Sequence, residues 1–248
     1  MNYLSRLAPG LTICLLVLLQ GCATPQANKA PDLLYREGEQ FFRDGNYEDA
    51  IAQWKKVKES YQSPELMARA EIGIADAHFL NRDYIEAAAA YEDFRKLHPS
   101  HPQAGYALYR QGLSHYNQIN STDTDQTPVM NALTVFQSYT TLYPDGEHRA
   151  DAAEKIRNCR EKQLQYEIYV GRFYLKNDKF PAAVARFEHA LKNFSDLQLR
   201  DELLYYLGWA YLQSGQKAKG REAYSRLMRE FPDSRYIKDA NKVMDKYF

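Results

Sequence analysis

This sequence of 248 residues lacks the features that mark most enzymes and nucleic-acid-binding proteins. Its 32 basic and 32 acidic side chains balance, so no positive excess would attract a nucleic acid. It contains no Gly-Lys phosphate-binding loop and no serine nucleophile motif. Its apolar run Leu11–Leu19 is too short to cross a bilayer as a helix. We therefore expect a protein that binds other molecules and has no catalytic residues.

His98 and His101 are separated by two residues, a spacing that also occurs in metal sites. They lie at the Pro-rich end of a predicted helical unit, where polar turn residues are common. No cysteine or carboxylate flanks them closely in the sequence. We interpret both as turn residues, and we expect no bound metal and no dissociable cofactor.

Residues 1–21 resemble a bacterial lipoprotein signal peptide. Arg6 is the only charge in this segment, and the apolar run ends in Leu19-Gln20-Gly21-Cys22. In such signals the cysteine is lipidated and becomes the new N-terminus. The alternative is an ordinary cleaved signal with an incidental cysteine, but the position of Cys22 directly after the run favours lipidation. A lipid on Cys22 would anchor the chain without a spanning helix.

Residues 22–31 form a polar tether with two prolines, which could reach about 30 Å from the bilayer. Ala23 follows the cysteine, and by resemblance to enteric lipoproteins the lack of Asp there favours the outer membrane. With Cys22 lipidated and the signal removed, Cys159 is the remaining thiol, so no internal disulfide can form. Cys159 lies in a helical pattern and is expected to be a small buried hydrophobe.

The segment Leu34–Val57 has the pattern of a helix–turn–helix unit. Apolar residues recur at helical spacing on both sides of a Gly45-Asn46-Tyr47 turn. Small residues, Gly38 and Ala50, occur where two antiparallel helices would cross closely. This is the pattern of a tetratricopeptide (TPR) repeat. One such unit cannot bury its own apolar face, so it predicts neighbours.

Four further units follow, and the predicted fold is an all-α TPR superhelix. The second unit spans residues 68–99, and the third spans residues 105–144 with a polar insertion at residues 117–127, expected to be a loop. The fourth and fifth units follow an extra helical stretch, residues 151–163, that belongs to no repeat. Residues 239–248 read as a short capping helix. These elements predict an N-terminal block, residues 32–148, and a C-terminal block, residues 149–248.

The fourth unit carries a more specific pattern. It reads Glu-Ile-Tyr-Val-Gly-Arg-Phe-Tyr-Leu from residue 167, then Lys-Phe-Pro-Ala-Ala-Val-Ala-Arg-Phe from residue 179. Together with the cysteine at the end of the signal, the five units and the insertion in the third, this resembles the BamD family of outer-membrane lipoproteins. The insertion is shorter here than in enteric relatives.

The resemblance implies a non-enzymatic scaffold on the periplasmic side of the outer membrane that helps to fold and insert β-barrel proteins. Its implied partners are a BamA-like insertase, other lipoproteins of the assembly complex, and unfolded β-barrel proteins. The N-terminal block would meet the C-terminal signal of the barrel, and the C-terminal block would bind the insertase. The alternative is a TPR lipoprotein that serves cell division or pilus and secretin assembly.

Two sets of candidate binding residues follow. The first helix of each TPR unit lines the concave side, where aromatic side chains could hold an extended peptide. These candidates are Tyr35, Phe42, Phe79, Tyr106, Tyr109 and Tyr116. For Phe42 and Phe79, packing between helices is the alternative, because a large residue recurs at this position in every unit.

The second set rests on the resemblance, which implies that Glu167, Tyr174 and Arg186 contact the insertase. Arg186 is predicted to lie off the buried face of its helix. The alternative for Arg186 is a solvated surface residue whose aliphatic stem covers apolar neighbours.

Overall fold

The computed structural model describes residues 30–60, 63–197 and 200–248. Within these ranges the chain forms eleven α-helices and no strand. The helices are α1 (Pro31–Arg43), α2 (Tyr47–Ser60), α3 (Pro64–Leu80), α4 (Tyr84–Leu97), α5 (Ala104–Asn117), α6 (Thr127–Leu142), α7 (Arg149–Lys176), α8 (Phe180–Asn193), α9 (Arg200–Gln213), α10 (Lys217–Glu230) and α11 (Ile237–Tyr247). The predicted signal peptide and the predicted lipidation at Cys22 lie outside the described residues.

Each helix packs on the next one along the chain, from α1 to α11. Short connections make neighbours antiparallel, so α1 to α10 form five helix pairs. These pairs are the five predicted TPR units, and the all-α TPR prediction is confirmed. The insertion also lies where it was predicted, between the end of α5 and the start of α6.

A small residue faces an aromatic ring where the two helices of a unit cross. A methyl group added to the glycine of the first helix would meet the ring of the second. The pairs are Gly38 with Trp54, Gly112 with Phe136, Gly171 with Phe187, and Gly208 with Tyr224. In the second unit Ala75 shares a buried cluster with Tyr91 instead. The alanines predicted to be buried at the crossings, Ala50, Ala87, Ala132 and Ala183, have no exposed surface.

The turn between the two helices has one residue with left-handed backbone in four of the units, whereas the third unit has the insertion there. Gly45 and Gly215 have φ of +79°, and Arg82 and Asp178 occupy the same turn position with φ of +65° and +57°. In all four turns the N–H of the next residue donates to the carbonyl oxygen five residues back, at 2.8–2.9 Å. This hydrogen bond caps the end of the first helix. Glycine has no side-chain clash in this conformation.

The stretch 151–163 is not a separate helix, which corrects the prediction of a linking element. It is the first half of α7, a continuous helix of 28 residues. Ala152 and Cys159 of this half are buried against α6, whereas Leu164 and Ile168 of the second half are buried against α8. Burial also raises the pKa of Cys159 to about 11, so this thiol is not activated. The division into two blocks stays a prediction.

Replacing Ala183 by Leu should overpack the crossing of α7 and α8, because Ala183 is fully buried there. We expect a loss of about 1–3 kcal/mol in the free energy of unfolding, measured by urea denaturation. The matched control is Ala182→Leu, since Ala182 is the exposed neighbour on α8. An equal effect of the two substitutions would contradict the helix register.

Candidate protein-binding surfaces

A half-buried carboxylate, Asp76, links the second and third units. Asp76 accepts hydrogen bonds from the hydroxyls of Tyr91, at 2.5 Å, and Tyr106, at 2.8 Å. Arg110 Nε donates to the Tyr91 hydroxyl at 3.0 Å and lies 3.8 Å from the carboxylate. Burial raises the pKa of Asp76, although these donors oppose the shift. The candidate Tyr106 is therefore held by a network that joins two units.

Phe42 and Phe79 occupy equivalent packing positions. Each lies edge-on to the tyrosine that begins the next helix: Phe42 to Tyr47 with ring centroids 5.6 Å apart, and Phe79 to Tyr84 at 5.4 Å. The guanidinium carbon of Arg110 also lies 3.7 Å from the centroid of Phe79. These contacts support the packing alternative for both rings, and a role in peptide binding stays a prediction.

Tyr35 and Tyr109 are half-buried and each has a polar neighbour. The guanidinium of Arg69 lies over the Tyr35 ring, 4.5 Å from its centroid. The Tyr109 hydroxyl donates to Asp151 of α7 at 2.8 Å, and its ring stacks on His148 with centroids 4.0 Å apart. Burial raises the pKa of Tyr109, so it stays protonated. Tyr109 thus connects the third unit to the start of α7.

Tyr116 makes a similar connection near the C-terminal end of α5. Its ring lies 6.4 Å from Phe136 and 5.2 Å from the Lys155 ammonium of α7. All six predicted peptide-binding aromatics are half-buried. A peptide ligand would therefore contact only the exposed edges of these six aromatic rings, because their other atoms pack between the helices.

Glu167 and Arg186 form an ion pair between α7 and α8. Arg186 Nε lies 3.1 Å from Glu167 Oε2, and the side chains are 35% and 14% exposed. His189 Nδ1 lies 4.0 Å from the same oxygen. Within the described residues neither atom of the 3.1 Å pair makes a well-aligned hydrogen bond. Arg186 is therefore not a freely solvated side chain, which corrects that alternative.

Tyr174, the third predicted residue of this set, is partly buried against the core of the fourth and fifth units. The exposed aromatics are instead Tyr169 (46%) and Phe173 (54%), one helical turn apart on α7. Sequence reasoning missed them because the TPR pattern records only the packing positions. The sequence feature that could have identified them is the presence of two large aromatic residues at i and i+4 at positions that the TPR pattern does not use for packing.

His98 has a carboxylate partner that its sequence neighbourhood does not show. Its Nε2 lies 2.6 Å from Glu71 Oε2, and Lys58 Nζ lies 3.2 Å from Glu71 Oε1. Glu71 is buried, and the Lys58 ammonium supplies an opposite charge for this carboxylate, while His98 Nε2 lies at hydrogen-bond distance from its other oxygen. Among the residues that the structure describes, no group of three or more His, Cys, Asp or Glu could hold a metal ion.

A family model described as "Outer membrane lipoprotein" (YfiO) matches residues 27–226 of this chain. Similar proteins named outer membrane protein assembly factor BamD occur in Caulobacter vibrioides, 28% identical over 86% of this chain and 70% of that one, and in Rickettsia prowazekii, 28% identical over 86% and 85%. The protein of that name from Neisseria meningitidis serogroup A is 26% identical over 93% of both chains.

Solved TPR structures are similar at lower identity. The TPR2AB domain of yeast Sti1 in its pHSP90 complex is 15% identical, covering 82% of this chain and 78% of that chain, with a TM-score of 0.42. A TPR protein of Thermus thermophilus is 17% identical, covering 88% and 98%, with a TM-score of 0.37. None of the helices in the described ranges is long and apolar enough to cross a membrane.

Replacing Arg186 by Glu should destabilise the fourth unit, because it places a second carboxylate beside Glu167. We expect a loss of about 1–3 kcal/mol, between the values for exposed and buried pairs. The charge-swapped double variant, Glu167→Arg with Arg186→Glu, should recover most of it. Urea unfolding of both single variants and the double variant measures the coupling. Strictly additive losses would show that the two side chains do not interact.

Proposed function

This chain belongs to the YfiO family of outer membrane lipoproteins, and we propose that it is a non-enzymatic scaffold of the β-barrel assembly machinery. The observation that carries the proposal is the family match over residues 27–226, which spans the TPR units from α1 into α10. The relatives named above are assembly factors by name and cover most of this chain. The names of these relatives do not favour the cell-division or pilus alternative.

In this proposal a lipid on Cys22 holds the protein at the outer membrane, facing the periplasm, and no other cofactor is needed. The N-terminal block binds unfolded β-barrel proteins on its concave side. The half-buried rings of Tyr35, Tyr106 and Tyr109 offer apolar contact there. Arg69 lies beside Tyr35 and 3.7 Å from Glu39, and its remaining N–H donors could bind a peptide carboxylate. Further lipoproteins of the assembly complex are additional partners.

The C-terminal block binds the BamA-like insertase through Glu167, Tyr174 and Arg186. The guanidinium of Arg186 has five N–H donors, and Glu167 lies close to one nitrogen of this group. A carboxylate of the insertase could accept hydrogen bonds from the remaining donors. The exposed rings of Tyr169 and Phe173 add apolar surface on α7.

Replacing Cys22 by Ser should release the protein from the membrane, because lipidation requires the thiol. Fractionation of cells and labelling with a radioactive fatty acid measure this effect. Cys159→Ser is the matched control and should keep both membrane association and label, since Cys159 is buried in the fold. Continued labelling of the Cys22→Ser variant would contradict anchoring at this residue.

The charge-swapped variant, Glu167→Arg with Arg186→Glu, should lose the insertase while keeping a near-normal melting temperature. It preserves the internal ion pair but reverses the charge offered to the partner, a change that costs on the order of 2–5 kcal/mol of binding. Co-purification from detergent-solubilised membranes measures the effect. Lys192→Glu, a charge reversal at an exposed site on the same helix, is the control. Normal recovery of the insertase with the swapped variant would contradict this docking surface.

A further inference from the structure

A groove of about 550 Å³ lies between α4 and α6, with α5 as its floor. The two walls are the second helices of neighbouring units. The predicted peptide-binding aromatics of α5 do not line this groove. It contains none of the residues assigned above to substrate or insertase binding.

Arg95 on the α4 wall gives the groove an unbalanced positive charge. Its Nη1 donates to Gln111 Oε1 at 3.1 Å, and Gln111 is an uncharged side chain that is only 5% exposed. Within the described ranges no carboxylate lies at ion-pair distance from Arg95. The other cation of the groove, Lys96, is paired with Glu92 at 2.6 Å. One guanidinium therefore has no counter-charge in the described structure.

His115 on the floor does not change this balance. Burial lowers the pKa of His115 from its usual value, so the imidazole is neutral at pH 7. The side chains that line the groove thus comprise two cations and one carboxylate at neutral pH. A ligand that complements this lining carries negative charge.

The α6 wall combines hydrogen-bond acceptors with apolar surface. The hydroxyls of Thr134 and Ser138 each donate to a carbonyl oxygen four residues back in their own helix, at 2.9 Å. Their oxygen lone pairs stay available to accept a hydrogen bond from a ligand. Val135 and Leu142 line the same wall, and Leu142 is 60% exposed. This wall suits a ligand with N–H donors and aliphatic side chains.

We propose that the groove between α4 and α6 binds an acidic, amphipathic peptide segment of a partner protein. A carboxylate of the segment pairs with Arg95, backbone N–H groups donate to Thr134 and Ser138, and an aliphatic side chain packs on Val135 and Leu142. The volume lies within the range of about 300–1,000 Å³ found for ligand sites. An anionic lipid headgroup would match the charge but would not bring the regular series of amide donors that a peptide backbone offers.

The probe is a short fluorescein-labelled peptide of alternating Glu and Leu, titrated with the purified full chain in detergent. Fluorescence anisotropy measures the dissociation constant. A peptide of alternating Lys and Leu controls for apolar attraction. We expect the acidic peptide to bind and the basic peptide to bind at least about tenfold more weakly, because the groove has one uncompensated cation.

Two variants test the groove in different ways. Arg95→Glu reverses the charge, and Ser138→Trp fills the groove without changing any charge. Each should weaken binding of the acidic peptide by about tenfold or more. Lys55→Glu is the matched control: it reverses an exposed charge on α2, the second helix of the first unit, and should leave binding unchanged. Arg95→Gln removes the charge without introducing an opposite one. The melting temperature of every variant then shows whether weaker binding is caused by a loss of folding.

Absent binding of the acidic peptide to the unmodified chain would overturn the proposal. Affinity of the Arg95→Glu and Ser138→Trp variants equal to that of the unmodified chain would also overturn it. Equal loss in the Lys55→Glu control would show attraction to general surface charge instead of a site. Vesicles containing phosphatidylglycerol form the last arm. If they bind in an Arg95-dependent manner and the peptide does not, the groove recognises lipid headgroups and the peptide proposal is wrong.

Discussion

Close packing of an aromatic ring on a residue with almost no side chain sets the distance between the two helices in each unit. Glycine lies under the ring in four units and Ala75 takes that place in the second. With the helices this close, a buried alanine on the second helix completes the contact in the first four units, and Gly220 takes that place in the fifth. Cores packed at crystalline density tolerate little added volume. The repeat spacing along the whole chain depends on these crossings, since each unit buries its remaining apolar surface on the next.

Polar groups then join one unit to its neighbour. Asp76 of the second unit holds Tyr106 of the third, and Tyr109 of the third holds Asp151 of α7. A hydrogen bond of this kind contributes modestly, but leaving a buried partner unpaired costs about 1–3 kcal/mol. The aromatic residues on the concave side therefore have structural partners already. A peptide on this side would bind to a surface whose shape the fold has largely fixed.

The fold was predictable from the sequence because its determinants are local. Small and aromatic residues at helical spacing marked the crossings, and turns such as Gly45-Asn46-Tyr47 marked the ends of helices. The continuity of α7 was also readable, since no proline and no glycine occurs between residues 149 and 170. The contacts between polar side chains could not be predicted from the sequence. Glu71 and His98 are 27 residues apart and meet once the two helices of the second unit pair, and Asp76 and Tyr106 are 30 apart and meet only after the third unit has stacked on the second.

Glu167 and Arg186, the candidate pair for insertase binding, show that the same side chain can stabilise the fold and also bind a partner. Arg186 and Glu167 hold α7 against α8, yet their closest atoms are poorly aligned for a hydrogen bond. A partly satisfied polar pair in a site sheltered from water is costly for the free protein. A carboxylate of a partner would accept hydrogen bonds from Arg186, and a donor of the partner would be needed to satisfy Glu167. In the proposed complex α7, a continuous helix whose first half packs on α6 and whose second half packs on α8, would link the bound partner to the third unit.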